Sequence, residues 1–393
     1  MDIYTLDDQL RRIEVFDAYK SLIWVERNRG PGEFELFTLN TKAARDIFQR
    51  GRRVTIRGSK YVMVVETHTY IANSDERLLK IYGRGVEKVF EDRVVAPSLG
   101  ATEDATGKEV VWTFTATGSQ AIRDIVRKAT TLQPNDSITY LQPIDDVTEG
   151  TIPEDDAGSY DVRPASLIET VNEIAEVYRL GWGIERLADE PKLYFKVTTG
   201  VDRTTGQAAV PPVVFSEELE NLTDVSTVES DKDYKNVAYV FGKRGALEVT
   251  RPDENPAVSG LARRVVYVVA DDIDDDIPAG TAYNEALTRR GLIELAKHKP
   301  IMAFEGEARE NSSYVYGGDY NLGDLIEHRD EFGNRNYMVV SEQTLVVDAE
   351  GIRSYPSLTY YKQAVVGTWD AYNPTQHWDD VPDDTAHEWD DLP

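Results

Sequence analysis

Apolar and polar residues alternate along the first hundred positions in the manner of strands joined by turns. In SLIWVERNRGPGEFELFTL, Leu22, Trp24 and Val25 run into Gly30-Pro31-Gly32, and Phe34, Leu36 and Leu39 follow, which predicts a hairpin. RRVTIRGSKYVMVVETHTYIA repeats the pattern: Val54 and Ile56 face inward, Arg53, Thr55 and Arg57 face outward, and Gly58-Ser59 makes the turn. LLKIYGRGVEKVF closes the region, so residues 1–100 are expected to form a first, curled or closed antiparallel β-domain.

The period then changes. Ile122, Ile125, Val126 and Ala129 line one face of a short helix after Gly118-Ser119. Leu167, Val171, Ile174 and Tyr178 line a second helix that begins near Pro164. With the polar loop PIDDVTEGTIPEDDAGSYD between them and a hairpin in GWGIERLADEPKLYFKVTTGVDR, residues 101–210 read as a small α+β domain. Strand patterns return in PPVVFS, NVAYVFG and RRVVYVVA. A helix is expected over 281–298, stopped by Pro300. Strands at Leu325-Ile326, Met338-Val340 and Leu345-Val347, with turns at Phe332-Asn334 and Ala349-Gly351, complete a second β-region over 211–365. Residues 366–393 form an extended acidic tail. The expected class is α+β, mainly β.

Charge sharpens this picture. The 393 residues carry a formal net charge of -27, which argues against groove binding to nucleic acid, since that depends on Lys and Arg displacing counterions from phosphate. Residues 1–60 are net cationic, with twelve Lys or Arg against nine Asp or Glu, which leaves the remaining 333 residues at about -30. There Arg50, Arg52, Arg53, Arg57 and Lys60 cluster. Such a cluster is either a solvated β-edge protected by charge or a docking surface for an acidic neighbour, including another copy of this chain. The chain has no cysteine, and no run approaches the roughly 20 apolar residues of a membrane span.

Candidate chemistry is sparse. The five histidines form no short metal-ligand spacing. The run from Asp271 to Asp276 fails as a calcium loop: counted from Asp272, Ile277 occupies the glycine position and Tyr283 the glutamate position. GATEDATGKE lacks phosphate-loop spacing, with Glu109 where Ser or Thr should stand. No cofactor or metal is nominated, and the expectation is a protein that is not an enzyme.

Four stretches together resemble the baseplate hub or tail-associated minor tail proteins of long-tailed siphoviruses, of the type found in phages of actinobacteria. They are Trp24 with GEFEL and IYGRGVEKVFEDRVV, in which Gly83 and Arg93 fit the pattern; LGWGIERLADEPKLYFKVTTGVDRT; VVFSEELENLTDVSTVESDKDYKNVAYVFGKRG; and GGDYNLGDLIEHRDEFGNRNYMVVSEQTLVVDAEGIRSYPSL. The resemblance runs in order over about residues 15–360. It implies two tail-tube-like β-barrel domains per chain and a homotrimer at the distal end of the tail tube, lining the DNA exit channel. Its implied partners are the distal tail or tail-tube protein and other tail-tip proteins, and its place is the tail tip of a virion assembled in the host cytoplasm. The family supplies no catalytic residues. Two alternatives stand beside it: a cell-wall-degrading tail enzyme using paired carboxylates, and the hub of a phage-tail-like injection device.

The tail departs from that pattern. WDDVP and WDDLP are near-copies at 378–382 and 389–393, and WDAYNP begins at 369. A segment with no basic residue after Lys362 cannot bury enough apolar area to order itself. It is either a solubilising tail or a strap whose Trp369, Trp378, Trp389 and Leu392 fill pockets on a neighbour.

Overall fold

In the computed structural model the described residues are 1–72, 76–99, 110–138, 141–142, 158–187, 191–216, 218–219, 221–251, 258–271, 273, 280–298, 301–308, 314–330 and 332–360. The acidic tail, the polar loop 143–157 and all of 272–279 except Ile273 lie outside them. The chain divides into two units, one made of Met1–Asp231 and Pro300–Tyr361 and the other built on Lys232–Lys299.

The first unit begins with β1 (Ile3–Leu6), β2 (Arg12–Phe16), β3 (Tyr19–Arg27), β4 (Glu33–Leu39), α1 (Lys42–Ile47), β5 (Arg53–Ile56), β6 (Met63–Ala72), β7 (Arg77–Gly85), a 3-10 turn at Val86–Asp92 and β8 (Val94–Val95). The expected hairpin is β3 with β4, and Gly30 turns it at φ +86°, a conformation that suits glycine. Val54 and Ile56 are buried with Trp24, Phe34 and Leu36 in one core. Helix α1 is not visible in the strand pattern. Its start is the Thr41 hydroxyl, which accepts the Ala44 N–H at 3.1 Å.

The middle region holds β9 (Trp112–Ala116), α2 (Gly118–Thr130), β10 (Leu141–Gln142), β11 (Gly158–Val162), β12 (Ala165–Ser166), α3 (Leu167–Val177), β13 (Gly181–Arg186) and β14 (Leu193–Thr198). Ile122, Ile125, Val126 and Ala129 of α2 and Leu167 and Val171 of α3 are buried, as their helical spacing predicts. β13 and β14 pair antiparallel, and β13 is buried at all six positions. Buried positions without alternation mean that both faces of β13 are covered.

Next come β15 (Val214–Ser216) and β16 (Leu222–Ser230), and then the second unit with β17 (Val237–Gly242), β18 (Gly245–Thr250), β19 (Val265–Val269) and α4 (Thr281–Lys297). The chain returns to the first unit in β20 (Ile301–Ala308), β21 (Leu325–Arg329), β22 (Arg335–Asp348) and β23 (Gly351–Tyr360).

The two apolar runs Met338-Val340 and Leu345-Val347 are halves of one 14-residue strand, β22, with a register shift between Val340 and Glu342. That strand has two different partners on one side. Leu325↔Val339 to Arg329↔Arg335 join its first half to β21, and Glu342↔Arg27 to Val347↔Leu22 join its second half to β3. β23 pairs along its other side.

The result is a 13-stranded sheet in which strands from the chain's beginning and end are continuous. Its order is β16-β20-β23-β22-β3-β4-β7-β6-β5-β1-β2, with β15 and β21 branching from β22. Among the described residues no pairing closes this path: β2 and β16 stand at its ends. The molecule is mainly β, with four α-helices among the described residues.

Gly83 shows how tightly these strands meet. A Cβ there would overlap the Val64 carbonyl and the Phe34 ring. Gly83→Ala is expected to lower stability by roughly 1–3 kcal/mol through overpacking. Gly206→Ala, whose nearest atom would be the Thr204 hydroxyl at 3.6 Å, should change it by less than about 0.5 kcal/mol. Denaturant midpoints of the two variants check the contrast.

Candidate functional site

Three carboxylates from three separate segments converge beneath the β22–β3 junction. Glu26 is the last residue but one of β3, Glu87 lies in the 3-10 turn after β7, and Glu185 lies on β13; all three are buried. Tyr61, from the connection between β5 and β6, stands among them, and Tyr316 enters from the segment before β21. Asn28 ties the strands overhead. Its N–H donates to the Ser341 carbonyl and its own carbonyl accepts from the Trp182 N–H, both at 2.8 Å.

Each carboxylate is satisfied differently. Glu26 accepts from Trp24 Nε1 at 3.0 Å, from Ser59 Oγ at 2.5 Å and from the Tyr316 hydroxyl at 2.8 Å. Glu185 pairs with Lys60 Nζ at 2.5 Å and Lys196 Nζ at 3.1 Å. Glu87 has no cation among the described residues: its Oε1 accepts the Ile184 N–H at 2.9 Å. Burial therefore dominates Glu87 and pushes its carboxyl up to about 7, against the backbone donors and with a smaller push from the charges of Glu26 and Glu185. Burial also raises the Tyr61 and Tyr316 hydroxyls, assisted by the neighbouring carboxylates.

A cavity of about 30 Å³ opens beside this cluster, lined by Asn28, Tyr61, Trp182, Glu185, Lys196 and Tyr316 among others. It has room for one or two waters, whereas small-molecule sites run to roughly 300–1,000 Å³. The arrangement is suited to locking segments together, and among the described residues the cavity beside its acids is too small for a small-molecule substrate.

A second set of buried acids performs a similar task. Asp324 accepts from Arg203 Nε at 2.7 Å, from the Val201 N–H at 2.9 Å and from the Asn321 N–H at 3.0 Å. Glu327 binds Arg329 at 2.7 Å and the Thr205 hydroxyl. These contacts fasten the segment after β14 to β21. Among the described residues, no group of three or more His, Asp or Glu side chains is arranged to hold a metal. No described helix is long and apolar enough to cross a membrane.

A sequence model of the family described as Siphovirus ReqiPepy6 Gp37-like protein matches residues 1–357. The chain belongs to that family. No curated protein matches it. Among solved structures, the Gp37-like chain is similar to a tail protein from Neisseria meningitidis MC58, at 12% identity and a TM-score of 0.54, over 91% of this chain and 95% of that one. It is also similar to the 43 kDa tail protein of prophage MuSo2 from Shewanella oneidensis, at 13% identity and a TM-score of 0.54, over 91% and 96% of the two chains. At these identities the likeness establishes a shared fold.

The residues singled out from sequence are dispersed. Arg53 reaches Asp8 at 3.2 Å, Arg57 reaches Asp2 at 3.4 Å, and Lys60 is drawn to Glu185. Arg50 is exposed and Arg52 half-buried, and neither has an ion pair among the described residues. Trp369, Trp378, Trp389 and Leu392 lie outside the described residues. The buried acids were missed because 70 acidic residues give no local sign of which are enclosed. A faint sign exists in retrospect, for Gly85 and Gly183 each stand two positions before a buried glutamate.

The raised Glu87 carboxyl has a definite consequence for stability. An acid whose folded pKa of about 7 exceeds its ordinary 4.5 holds its proton more tightly when folded. Its contribution is complete below pH 4.5 and is lost as pH rises through 7, an effect on the order of 3 kcal/mol. Glu87→Gln keeps the acceptor for Ile184 and removes the titration. Relative to the unsubstituted chain, the variant should gain stability between pH 5 and pH 8, as read from denaturant midpoints. An unchanged difference would refute the assignment.

Proposed function

We propose that this chain is a structural hub at the distal end of a siphovirus tail tube, joining tube to tip. In this reading it assembles as a homotrimer whose two β-rich regions each contribute a tube-like barrel around the DNA exit channel, at the tail tip of the virion. The observation that carries the reading is the fold shared with a Neisseria tail protein and a prophage tail protein across 91% of the chain, in a member of a siphovirus family. The 13-stranded sheet supports it, because among the described residues its terminal strands β2 and β16 each pair on one side only, which leaves an edge that an assembly could pair. A net charge of -27 suits the wall of a DNA conduit, since like charge keeps a polyanion from adhering during passage.

The buried acids fit a structural part. They are consumed in ties between segments, and the cavity beside them, about 30 Å³, has room for water and is far smaller than a small-molecule site. The partners in this reading are further copies of the chain, the distal tail or tail-tube protein, and tip proteins reached through the C-terminal segment. Arg50 and Arg52 are the members of the basic cluster best placed to meet an acidic neighbour.

Light scattering and averaged electron images of the purified protein, alone and with the tail-tube protein, test the reading. Threefold rings or a ring-on-tube complex are expected. A compact monomer that stays apart from the tube protein would refute it. Arg50→Glu with Arg52→Glu should weaken assembly roughly tenfold at low salt and much less at high salt, where screening already suppresses the attraction.

A further inference from the structure

The large unit holds one strand arrangement twice. In the first half of the chain β3 pairs β4, β4 pairs β7, β7 pairs β6 and β6 pairs β5, all antiparallel. In the second half β16, β20, β23, β22 and β21 repeat those four pairings, in the same chain order and the same direction. The irregularities recur as well. β6 shifts register on β7 between Val65 and Thr67, as β22 does on β23 between Val340 and Glu342. β3 and β16 each shift on their hairpin partner near their start. Carried through the ladders, these registers place Phe304-Glu305 of β20 where β4 has Phe34-Glu35, and Val228-Glu229 of β16 where β3 has Val25-Glu26. Identical dipeptides at matched register mark the two arrangements as an internal repeat.

The repeats differ in what lies along their long bulged strand. The first half of β22 meets β21, and its second half, past the shift, meets β3 of the other repeat. The first half of β6 likewise meets β5, at Arg53↔Val64 and Val54↔Met63. Past its shift, residues 67–72 pair with β7 on one side, and among the described residues no strand lies on the other. The counterpart of β3 is β16, which stands at the free end of the sheet. The chain thus contains one complete junction and the two separate halves of a second. Both halves are open: Tyr70 and Ile71 on β6 are 54% and 38% exposed, and Val228 on β16 is 52% exposed. Arg45 lies over the Tyr70 ring and His68 Nε2 meets the Phe48 carbonyl, but these are side-chain contacts that leave the strand edge unpaired. An unpaired edge is a template for another strand.

We propose that the two halves join between copies of the chain, the distal half of β6 in one copy pairing antiparallel with the outer edge of β16 in the next. Transferring the β22–β3 register sets Thr67 opposite Ser230, Thr69 opposite Val228 and Ile71 opposite Ser226. Because the two edges are different strands, the contact is head-to-tail, and copies add in one rotational sense until a ring closes. Backbone pairing of this kind needs no net attraction between copies that share a charge of -27. The proposal deepens the hub reading by naming its contact surface, and it rests on that reading only for the association of copies.

The chain has no cysteine, so single substitutions report one pair at a time. A chain carrying Thr69→Cys is mixed with one carrying Val228→Cys, both at exposed positions, and treated with a short bismaleimide. The control mixture pairs Ile13→Cys on β2 with the same Val228→Cys chain, and Ile13 is 50% exposed. The β6–β16 mixture should give roughly tenfold more covalent dimer, by effective concentration. Adding Ile71→Lys to the first chain sets a charge within the pairing and should return the yield to the control level. Light scattering on the same samples separates the outcomes. Equal yields from a protein that associates would overturn the proposal and leave the hub reading standing. A monomer without crosslinks would overturn both. A favoured β6–β16 crosslink in an assembly that is not threefold would support the proposal and refute the trimer. A monomer-sized crosslink in one chain carrying both cysteines would mean that the sheet closes on itself, and would also overturn it.

Discussion

The pairing of β22 with β3 is the constraint on which the large unit depends. It joins Leu345 to Trp24 and Glu342 to Arg27 across more than three hundred positions of sequence. Arg27 reinforces it by donating to Glu342 at 2.7 Å and to Glu33 at 3.0 Å, which clamps both neighbours of β3 at once. The register shift after Val340 lets one strand serve β21 first and β3 second. Because of it, the first and last strands of the large unit share a single sheet, and the middle α+β region and the second unit are insertions between its halves. Such long-range pairing must overcome loop closure before it is rewarded, so the intervening segments have to be fastened in place by something other than the ladder itself.

The buried acids are that fastening. Enclosing a carboxylate is unfavourable unless it is satisfied, and the three at the junction represent three solutions. Glu26 is saturated with neutral donors from Trp24, Ser59 and Tyr316, so one side chain links β3, the β5–β6 connection and the segment before β21. Glu185 takes two lysines, which brings β13 and β14 to the same connection. Glu87 takes backbone amides, Ile184 among them, and holds its proton toward neutral pH, because no cation among the described residues offsets its loss of water. The gradation follows from who is nearby and not from residue type.

Local rules were readable in the sequence where the cause is local. Gly30-Pro31-Gly32 forecast the β3–β4 turn, Ile122 to Ala129 forecast the buried face of α2, and Phe332-Asn334 and Ala349-Gly351 forecast the turns around β22. Helix α1 was overlooked because it is six residues long and its only marker is the Thr41 cap. The merging of Met338-Val340 with Leu345-Val347 was not readable, since the polar residues between them look like a break until Ser341 is seen accepting from Asn28. Partner choice was invisible for the same reason. Alternation says that Trp24 faces a core, but not that its strand pairs with one beginning at Arg335. The candidate site was hidden further still, because enclosure of Glu26, Glu87 and Glu185 is a property of the assembled segments.

Charge is distributed in a way that bears on assembly. Copies of a chain at -27 repel one another, so contact between them has to come from backbone pairing and apolar surface rather than from net attraction. The exposed end of the sheet meets that requirement. β2 is exposed from Arg12 to Val15, with Ile13 and Val15 standing 50% and 59% open on either side of Glu14. Mixed charges on an edge strand discourage indiscriminate pairing, while the apolar positions between them keep a specific pairing available to a neighbour that matches both. Like charge repels copies of such a chain at long range, so a pairing along β2 would form only where shape and register agree.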